Sequence, residues 1–162
     1  MKQFHVAQAG KNDIRALLTM IRELAGYENL QEQVTATESL LRDAMCGPSP
    51  VAYAWIAHAE KEPAGYAVYY RSFSTFTGRL GVFLDDIYVR PSYRRQGLGR
   101  KLMQCIARAG AEADYSRCEW ITLRWNEAAL RFYGNLGARF LDDWVFIRMN
   151  GEPLQQLIRS QP

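Results

Sequence analysis

Cysteine and histidine are scarce in this chain of 162 residues, which contains three cysteines and two histidines. The cysteines, Cys46, Cys105 and Cys118, are odd in number and include no Cys-x-x-Cys pair. The sequence therefore predicts neither a disulfide framework nor a zinc site. The two histidines, His5 and His58, are too few for a histidine-rich metal centre. We expect a reduced protein that needs no metal ion.

Long apolar runs are also missing. A membrane-spanning helix needs about 20 consecutive apolar residues, and no run in this chain approaches that length. The stretch from Met1 to His5 lacks the apolar core of a signal peptide. We expect no membrane association and a cytoplasmic location.

Charge of one sign is not in large excess, because 20 lysines and arginines accompany 17 aspartates and glutamates. The net charge of +3 is mild, and the basic residues are spread along the chain except between Arg94 and Lys101. No basic stripe alternates with aromatic residues, so the sequence predicts no nucleic-acid partner. At this length, with 48% apolar residues, we expect one domain covering residues 1–162.

Hydrophobic periodicity predicts the secondary structure. Apolar residues at helical spacing favour helices over residues 13–27 and 97–114, and Thr35 with Glu38 forms a capping-box pattern before another helix. Strands are predicted at residues 4–9, 51–57, 65–70, 80–89, 120–124, 139–141 and 144–149. Hairpins that precede a strand–helix–strand unit indicate an α/β fold with a mixed, mostly antiparallel sheet flanked by helices.

The segment from Leu84 to Lys101 has the order strand, tight turn, helix. Pro91 and Ser92 end the strand, and Gly97 opens a helical pattern. The first turn of a helix offers unpaired N–H groups and a partial positive charge, and glycines let an anion approach the backbone. The turn therefore indicates a phosphate-binding site, with an ordinary turn and solvated arginines as the alternative. It is not a P-loop, since no Gly-Lys-Ser/Thr follows, and it lacks the third glycine of a dinucleotide fingerprint.

Two motifs resemble signatures of the GNAT family of N-acetyltransferases. The string Arg94-Arg95-Gln96-Gly97-Leu98-Gly99 is similar to the family's pyrophosphate-binding motif, Gln/Arg-x-x-Gly-x-Gly/Ala. The stretch from Asn126 through Tyr133 to Ala138 is similar to the second signature, Asn-x-x-Ala/Ser-x-x-x-Tyr-x-x-x-Gly-Ala/Phe. The resemblance implies the family's fold and acetyl-CoA as co-substrate. It implies cofactor contacts from Ile87, Val89, Arg94, Arg95, Gln96, Gly97, Gly99, Arg100, Asn126 and Tyr133.

Asn126 and Tyr133 are separated by a spacing of seven, which places both residues on one face of a helix. Asn126 is a natural N-cap for that helix. Periodicity alone favours Tyr133 as a half-buried core aromatic. The resemblance instead implies that Tyr133 is the general acid that protonates the departing thiolate.

A closer resemblance, to the diamine (spermidine/spermine) N1-acetyltransferase and thialysine acetyltransferase group, covers nearly the whole chain. It rests on residues 21–28, 32–34 and 84–89, and on Trp144-x-Phe146 before Gly151-Glu152. In that group a Glu-Asp pair ends the strand, and the glutamate is the proposed base. The resemblance implies that Asp85, one methylene shorter, has this catalytic role, and that Glu28, Asp85 and Asp86 bind the amine. It also implies a homodimer.

The pattern alone leaves the acidic residues open, because Glu28 also fits a solvated loop and Asp85 and Asp86 also fit a strand end without a special role. Adjacent strand residues point to opposite faces, so Asp85 and Asp86 can line one pocket only if the strand carries a bulge. The loop from Phe73 to Arg79 lacks the acidic residue that polyamine acetyltransferases carry there.

We therefore expect direct transfer of the acetyl group of acetyl-CoA to a short primary amine in a ternary complex. The candidate acceptors are a small diamine, a polyamine and a thialysine- or lysine-like amino acid, with a long polyamine the poorest fit. The alternatives are acetylation of a protein N-terminus or an antibiotic amine, and a non-catalytic coenzyme A-binding module that regulates another protein.

Overall fold

The protein is described by a computed structural model that covers residues 4–115 and 117–160. The chain divides into two compact units, residues 1–121 (the first unit) and residues 122–162 (the second unit). The single domain expected over residues 1–162 stays a prediction.

The first unit is built on a sheet of five strands among the described residues. They are β1 (Phe4–Gln8), β2 (Tyr53–Ala59), β3 (Glu62–Ser74), β4 (Arg79–Val89) and β5 (Cys118–Trp120), in the spatial order β1-β2-β3-β4-β5. Neighbouring strands are antiparallel except β4 and β5, which are parallel. The predicted mixed, mostly antiparallel sheet is therefore confirmed.

Helices cover both faces of this sheet. They are α1 (Ile14–Glu28), α2 (Glu38–Cys46) and α3 (Leu98–Glu112). Helix α1 buries Leu17 and Met20 against one face, called the α1 side, while α3 buries Leu102 and Ile106 against the other, called the α3 side. All four side chains are fully buried, and each burial stabilises the fold by about 2 kcal/mol. No helix in the described ranges is long and apolar enough to cross a membrane.

The start of α2 differs from the prediction. The hydroxyl of Thr37 accepts a hydrogen bond of 3.2 Å from the backbone N–H of Leu40, so Thr37 is the N-cap. The capping box predicted for Thr35 and Glu38 is wrong, because Glu38 is already the first helical residue. The helix itself is confirmed.

The second unit contains α4 (Glu127–Gly134) and α5 (Gly151–Arg159). The strands predicted at residues 139–141 and 144–149 are wrong, since neither stretch is assigned to a strand. A strand requires a neighbour that pairs its N–H and C=O groups, and no described strand pairs with either stretch. Apolar side chains of the stretch 144–149 are exposed to solvent: Trp144, Val145 and Ile147 are 73%, 78% and 83% exposed.

Candidate active site

A β-bulge lies at the acidic pair of β4. In the antiparallel β3–β4 ladder Val68 pairs with Asp86 and Tyr69 pairs with Leu84, so Asp85 is one extra residue of β4 between these two pairs. An extra residue of this kind defines a bulge and changes which face the following side chains take. The sequence analysis required a bulge for Asp85 and Asp86 to line one pocket, and β4 has this bulge.

The bulge brings both carboxylates to the α1 side of the sheet. Leu84 belongs to the core on the α3 side, so the alternation of strand side chains places Asp85 on the α1 side. Asp86 pairs with Val68, which lies in the α1-side core. Asp86 also accepts a hydrogen bond from the hydroxyl of Tyr66, another residue of that core, over 3.4 Å.

Glu28 joins these two carboxylates from helix α1. It is the last residue of the helix, which ends because Asn29 adopts a left-handed conformation with φ of 58° and its N–H bonds the carbonyls of Ala25 and Gly26. Burial raises the pKa of Glu28 above its ordinary value. The negative charge of Glu28 reaches Asp86, where it favours the protonated carboxyl. The structure thus brings together Glu28, Asp85 and Asp86.

Asp86 is the most perturbed carboxylate of this cluster. Burial raises its pKa to about 6, the charges of Asp85 and Glu28 add to the rise, and the hydrogen bond from Tyr66 opposes it. The hydroxyl of Tyr66 is itself buried beside this charge, and its pKa lies well above the ordinary value. A concentration of carboxylates in a half-buried site attracts a cation and includes a group that can exchange a proton near neutral pH.

A cleft of about 550 Å³ lies next to one residue of this region, Tyr70. Burial and the charge of Asp85 raise the pKa of Tyr70, and its ring stacks on Phe83 with the centroids 5.1 Å apart. The lining residues are Pro50, Val51, Ala52, Tyr53, Tyr70 and Arg71. None of the three carboxylates Glu28, Asp85 and Asp86 lines this cleft.

The glycine-containing turn has the geometry of an anion site. Gly97 is the N-cap of α3 and has a left-handed φ of 82°, and the N–H of Lys101 donates to its carbonyl over 3.1 Å. A Cβ at Gly97 would meet nothing within 4 Å, so the space before the helix is open. No side chain of a described residue caps this N-terminus. Arg95 and Arg100 are exposed on either side of Gly97, and these features fit a pyrophosphate.

The edge of β4 that faces away from β3 is available beyond the acidic pair. Strand β5 pairs only with residues 82–84 of β4. The N–H of Arg90 donates to the carbonyl of Ala64 in the β3–β4 register, over 3.0 Å. Because hydrogen-bonded positions alternate along an antiparallel ladder, the backbone groups of Ile87 and Val89 point to the outer edge. An extended ligand arm could pair there with the backbone groups of Ile87 and with the N–H of Val89, whose carbonyl already accepts a hydrogen bond from Arg94.

Two predicted cofactor residues make contacts within the protein. The Nε of Arg94 donates to the carbonyl of Val89 over 2.8 Å, and its guanidinium lies over the rings of Tyr27 and Tyr88 at 5.0 and 5.8 Å. The Nε2 of Gln96 donates to the carbonyl of Ser92 over 3.1 Å. These side chains therefore shape the turn, while Gly97 and Gly99 lie at the start of α3, where N–H groups have no partner within the helix.

The remaining predicted residues belong to the second unit. Asn126 caps α4, since its side-chain oxygen accepts a hydrogen bond of 3.2 Å from the N–H of Ala129. This N-cap was predicted and is confirmed. Tyr133 is buried, and its ring lies 5.3 Å from that of Phe132. The cofactor contacts and the acid role expected of Asn126 and Tyr133 stay predictions.

The sequence analysis did not identify Tyr66 and Tyr70 of β3 as part of this region. Tyr66 donates a hydrogen bond to Asp86, and burial and the charge of Asp85 raise the pKa of Tyr70. The hairpin between the two strands was the signal that could have found them, because it places residues 66–70 opposite residues 83–88. Neither tyrosine belongs to a motif.

Among residues 4–115 and 117–160 no three His, Cys, Asp or Glu side chains are grouped so as to hold a metal ion.

Comparisons with known proteins agree with the two signatures. The family model for the acetyltransferase (GNAT) family matches residues 15–138. Thialysine N-epsilon-acetyltransferase of Sus scrofa is 37% identical over 163 aligned residues, covering 94% of this chain and 95% of that protein. An integron cassette protein from the mobile metagenome of V. cholerae superposes with a TM-score of 0.80 at 22% identity, covering 99% of each chain. AAC(6')-Iy, in complex with a CoA-containing bisubstrate analogue, superposes with a TM-score of 0.74 at 19% identity, covering 92% of this chain and 99% of that one.

Proposed function

The chain belongs to the acetyltransferase (GNAT) family, and we propose that it transfers the acetyl group of acetyl-CoA directly to a short primary amine. The predicted enzyme class, an acetyl-CoA-dependent N-acetyltransferase, is confirmed by the family match and by the named relatives. The observation that carries the choice of acceptor is the bulge in β4, which gathers Asp85 and Asp86 on the side of the sheet where Glu28 ends α1.

The cofactor would be held at the turn and along the free edge of β4. The open helix start at Gly97 and Gly99, with Arg95 and Arg100 beside it, suits the pyrophosphate. The outward backbone groups of Ile87 and Val89, and in the second unit Asn126, are the further contacts of this proposal, together with Arg94, Gln96 and Tyr133. When bound, acetyl-CoA supplies an activated acetyl thioester.

The acidic cluster would receive the amine. A free alkylamine has a pKa of about 10.4, so it arrives as a cation and must lose a proton before it can attack. Glu28 and Asp86 hold the ammonium group, and Asp85 takes the proton directly or through a water molecule. The C–N bond then forms as the C–S bond breaks, Tyr133 donates its proton to the departing sulfur, and the proton that the nitrogen loses as the amide forms returns to Tyr133 through water. Asp85 and Tyr133 are the catalytic residues of this proposal.

A short amine fits the surroundings better than a long polycation. The segment from Phe73 to Arg79, which contains the turn between β3 and β4, has no carboxylate, and Phe73 and Phe76 in it are 60% and 96% exposed. A second or third ammonium group would find no charge partner there. The name of the Sus scrofa relative supports a thialysine- or lysine-like amino acid.

The substrate class is tested by measuring thiol release from acetyl-CoA with thialysine, lysine, putrescine, spermidine, spermine, an aminoglycoside and a basic peptide. We expect the highest kcat/KM for one of the short amines. A preference for the peptide or the aminoglycoside would replace the proposed acceptor. Binding of acetyl-CoA without turnover of any amine would indicate a non-catalytic coenzyme A-binding module.

The catalytic roles are tested by Tyr133→Phe and Asp85→Asn, with Tyr115→Phe and Asp114→Asn as matched controls outside the proposed site. Loss of a positioned acid or base lowers kcat by about a hundredfold or more. We expect that loss in the first two variants and near-normal rates in the controls. Full activity in Tyr133→Phe or Asp85→Asn would remove that residue from the mechanism.

Our proposal includes a homodimer. The support is the apolar surface of the second unit, where Trp144, Val145 and Ile147 are more than two-thirds exposed. Large apolar side chains exposed so close together in sequence are candidates for an interface. A second copy of the chain is the partner that the resemblance to the acetyltransferase group implies.

The cytoplasm stays the expected location.

A further inference from the structure

The carboxyl-terminal half of α1 is fixed to the segment that follows β4. The guanidinium of Arg90 donates to both carboxylate oxygens of Glu23, over 2.9 and 2.7 Å, and to the carbonyl of Pro63 over 2.7 Å. A two-pronged arginine–carboxylate pair of this kind is geometrically rigid. Glu23 is therefore anchored to the end of β4 from the middle of α1.

A second anchor lies one helical turn further along. Tyr27 follows Glu23 by four residues, so both side chains lie on the same face of α1. The guanidinium of Arg94 lies 5.0 Å from the ring centroid of Tyr27 and 5.8 Å from that of Tyr88, and its Nε holds the carbonyl of Val89. We call Arg90, Arg94, Glu23 and Tyr27 the arginine clamp.

The clamp ends next to the amine site. Tyr27 immediately precedes Glu28, and α1 stops at Glu28. Arg94 stands in the cofactor turn, three residues before Gly97. The contact between Arg94 and Tyr27 thus joins the proposed pyrophosphate site to the carboxylate that would receive the amine.

We propose that Arg94 is a positioning residue that fixes Glu28 in the amine site by holding the ring of Tyr27 from the cofactor turn. This inference rests on the proposed function, because it takes Glu28 as an amine ligand. The contacts of Arg94 with Tyr27 and Val89 do not depend on that function. The guanidinium suits the task because it is planar and stacks on aromatic faces while its Nε still donates a hydrogen bond. A lysine carries the same charge but reproduces neither the stacking nor the Nε–carbonyl bond. If Arg94 served only to bind phosphate, changing it would affect acetyl-CoA alone.

The first test measures the position of Glu28 without any substrate. The carboxyl carbon of Glu28 is followed by NMR during a pH titration in the unaltered protein and in Arg94→Lys, Tyr27→Ala and Tyr27→Phe. Burial raises the pKa of Glu28 in the intact site, and release of the helix end exposes the group. We expect the pKa of Glu28 to fall towards 4.5 in Arg94→Lys and Tyr27→Ala, and to keep its raised value in Tyr27→Phe, which retains the ring.

The second test separates the two substrates. In Arg94→Lys and in Tyr27→Ala the KM for the preferred short amine should rise by about three- to tenfold. In Tyr27→Ala, which changes no proposed cofactor contact, the KM for acetyl-CoA should change by less than about threefold. The double variant should be no worse than either single variant, since both remove one contact. Unfolding in urea confirms that each variant is folded before it is assayed.

Two results would overturn the inference. One is an unchanged Glu28 titration in both Arg94→Lys and Tyr27→Ala. The other is a rise of the acetyl-CoA KM alone in Arg94→Lys, which would make Arg94 a phosphate ligand only. Failure of the proposed function looks different, because the unaltered protein would then acetylate no amine, and the titration of Glu28 would still decide whether the clamp exists.

Discussion

The ionised carboxylate of Asp86 destabilises the native state, and Asp86→Asn should remove this destabilisation. Burial and two neighbouring carboxylates raise the pKa of Asp86 from its ordinary value of 3.8 to about 6. Each pKa unit corresponds to about 1.4 kcal/mol, so the ionised group destabilises the folded protein by about 3 kcal/mol. Asparagine has nearly the same shape, carries no charge and still accepts a hydrogen bond from Tyr66.

The direction of the pH dependence follows from the order in which the folded and the unfolded chain lose the proton of Asp86. Well below pH 3.8 both the folded and the unfolded chain carry a protonated Asp86, and ionisation of this group then costs the folded state nothing. As the pH rises from 3.8 to about 6, the unfolded chain ionises first, so this group's contribution to the free energy of unfolding falls. Above that range the full penalty applies. The stabilisation by Asp86→Asn should therefore be only about 0.5 kcal/mol at pH 4 and reach about 1–3 kcal/mol at pH 8.

The assay is urea unfolding followed by tryptophan fluorescence at pH 4, 6 and 8 for the unaltered protein and Asp86→Asn. Asp43→Asn, at an exposed position of α2, is the matched control and should change the free energy of unfolding by less than about 0.5 kcal/mol at each pH. Activity of Asp86→Asn should fall while stability rises, as at other strained functional sites. A pH-independent effect, or destabilisation at pH 8, would refute the reasoning.

Three further predictions concern the same molecule. Tyr66→Phe removes the hydrogen bond that lowers the pKa of Asp86, so the rise of the amine KM on acidification should begin at a higher pH, as measured by KM–pH profiles. Gly97→Ala and Gly78→Ala both place a Cβ at a left-handed φ, 82° and 65°, with nothing within 4 Å. Each should therefore lower stability by about 1 kcal/mol, but only Gly97→Ala should raise the acetyl-CoA KM. Combining Val145→Asp with Ile147→Asp should convert the proposed dimer to a monomer in light scattering, whereas a monomeric unaltered protein would contradict the proposed dimer.

Local patterns were sufficient for the turn and the helices around it. The spacing of Leu98, Leu102 and Ile106 predicted α3 because a helix repeats its apolar face every three to four residues. The polar cap at Asn126 was also predicted, since capping depends on a side chain and the backbone three residues later. Both features are decided within a few residues of sequence.

Features decided by distant partners were not predictable in the same way. The bulge at Asp85 exists because one extra residue of β4 faces β3, and no local pattern encodes that register. The strands expected near Trp144 failed because alternating apolar residues predict a strand only where another strand is available to pair with it. The contact of Arg94 with Tyr27 joins the cofactor turn to α1, residues 67 positions apart in sequence, and its motif suggested a phosphate ligand instead.

The central claim is that the cluster of Glu28, Asp85 and Asp86 receives the amine. It is tested most directly by a variant that combines Glu28→Gln, Asp85→Asn and Asp86→Asn, assayed at pH 8 with thialysine and acetyl-CoA. We predict that the KM for thialysine rises by about a hundredfold or more, while the KM for acetyl-CoA stays within about threefold of its original value. An unchanged KM for thialysine, or an equal rise for both substrates, would contradict the claim.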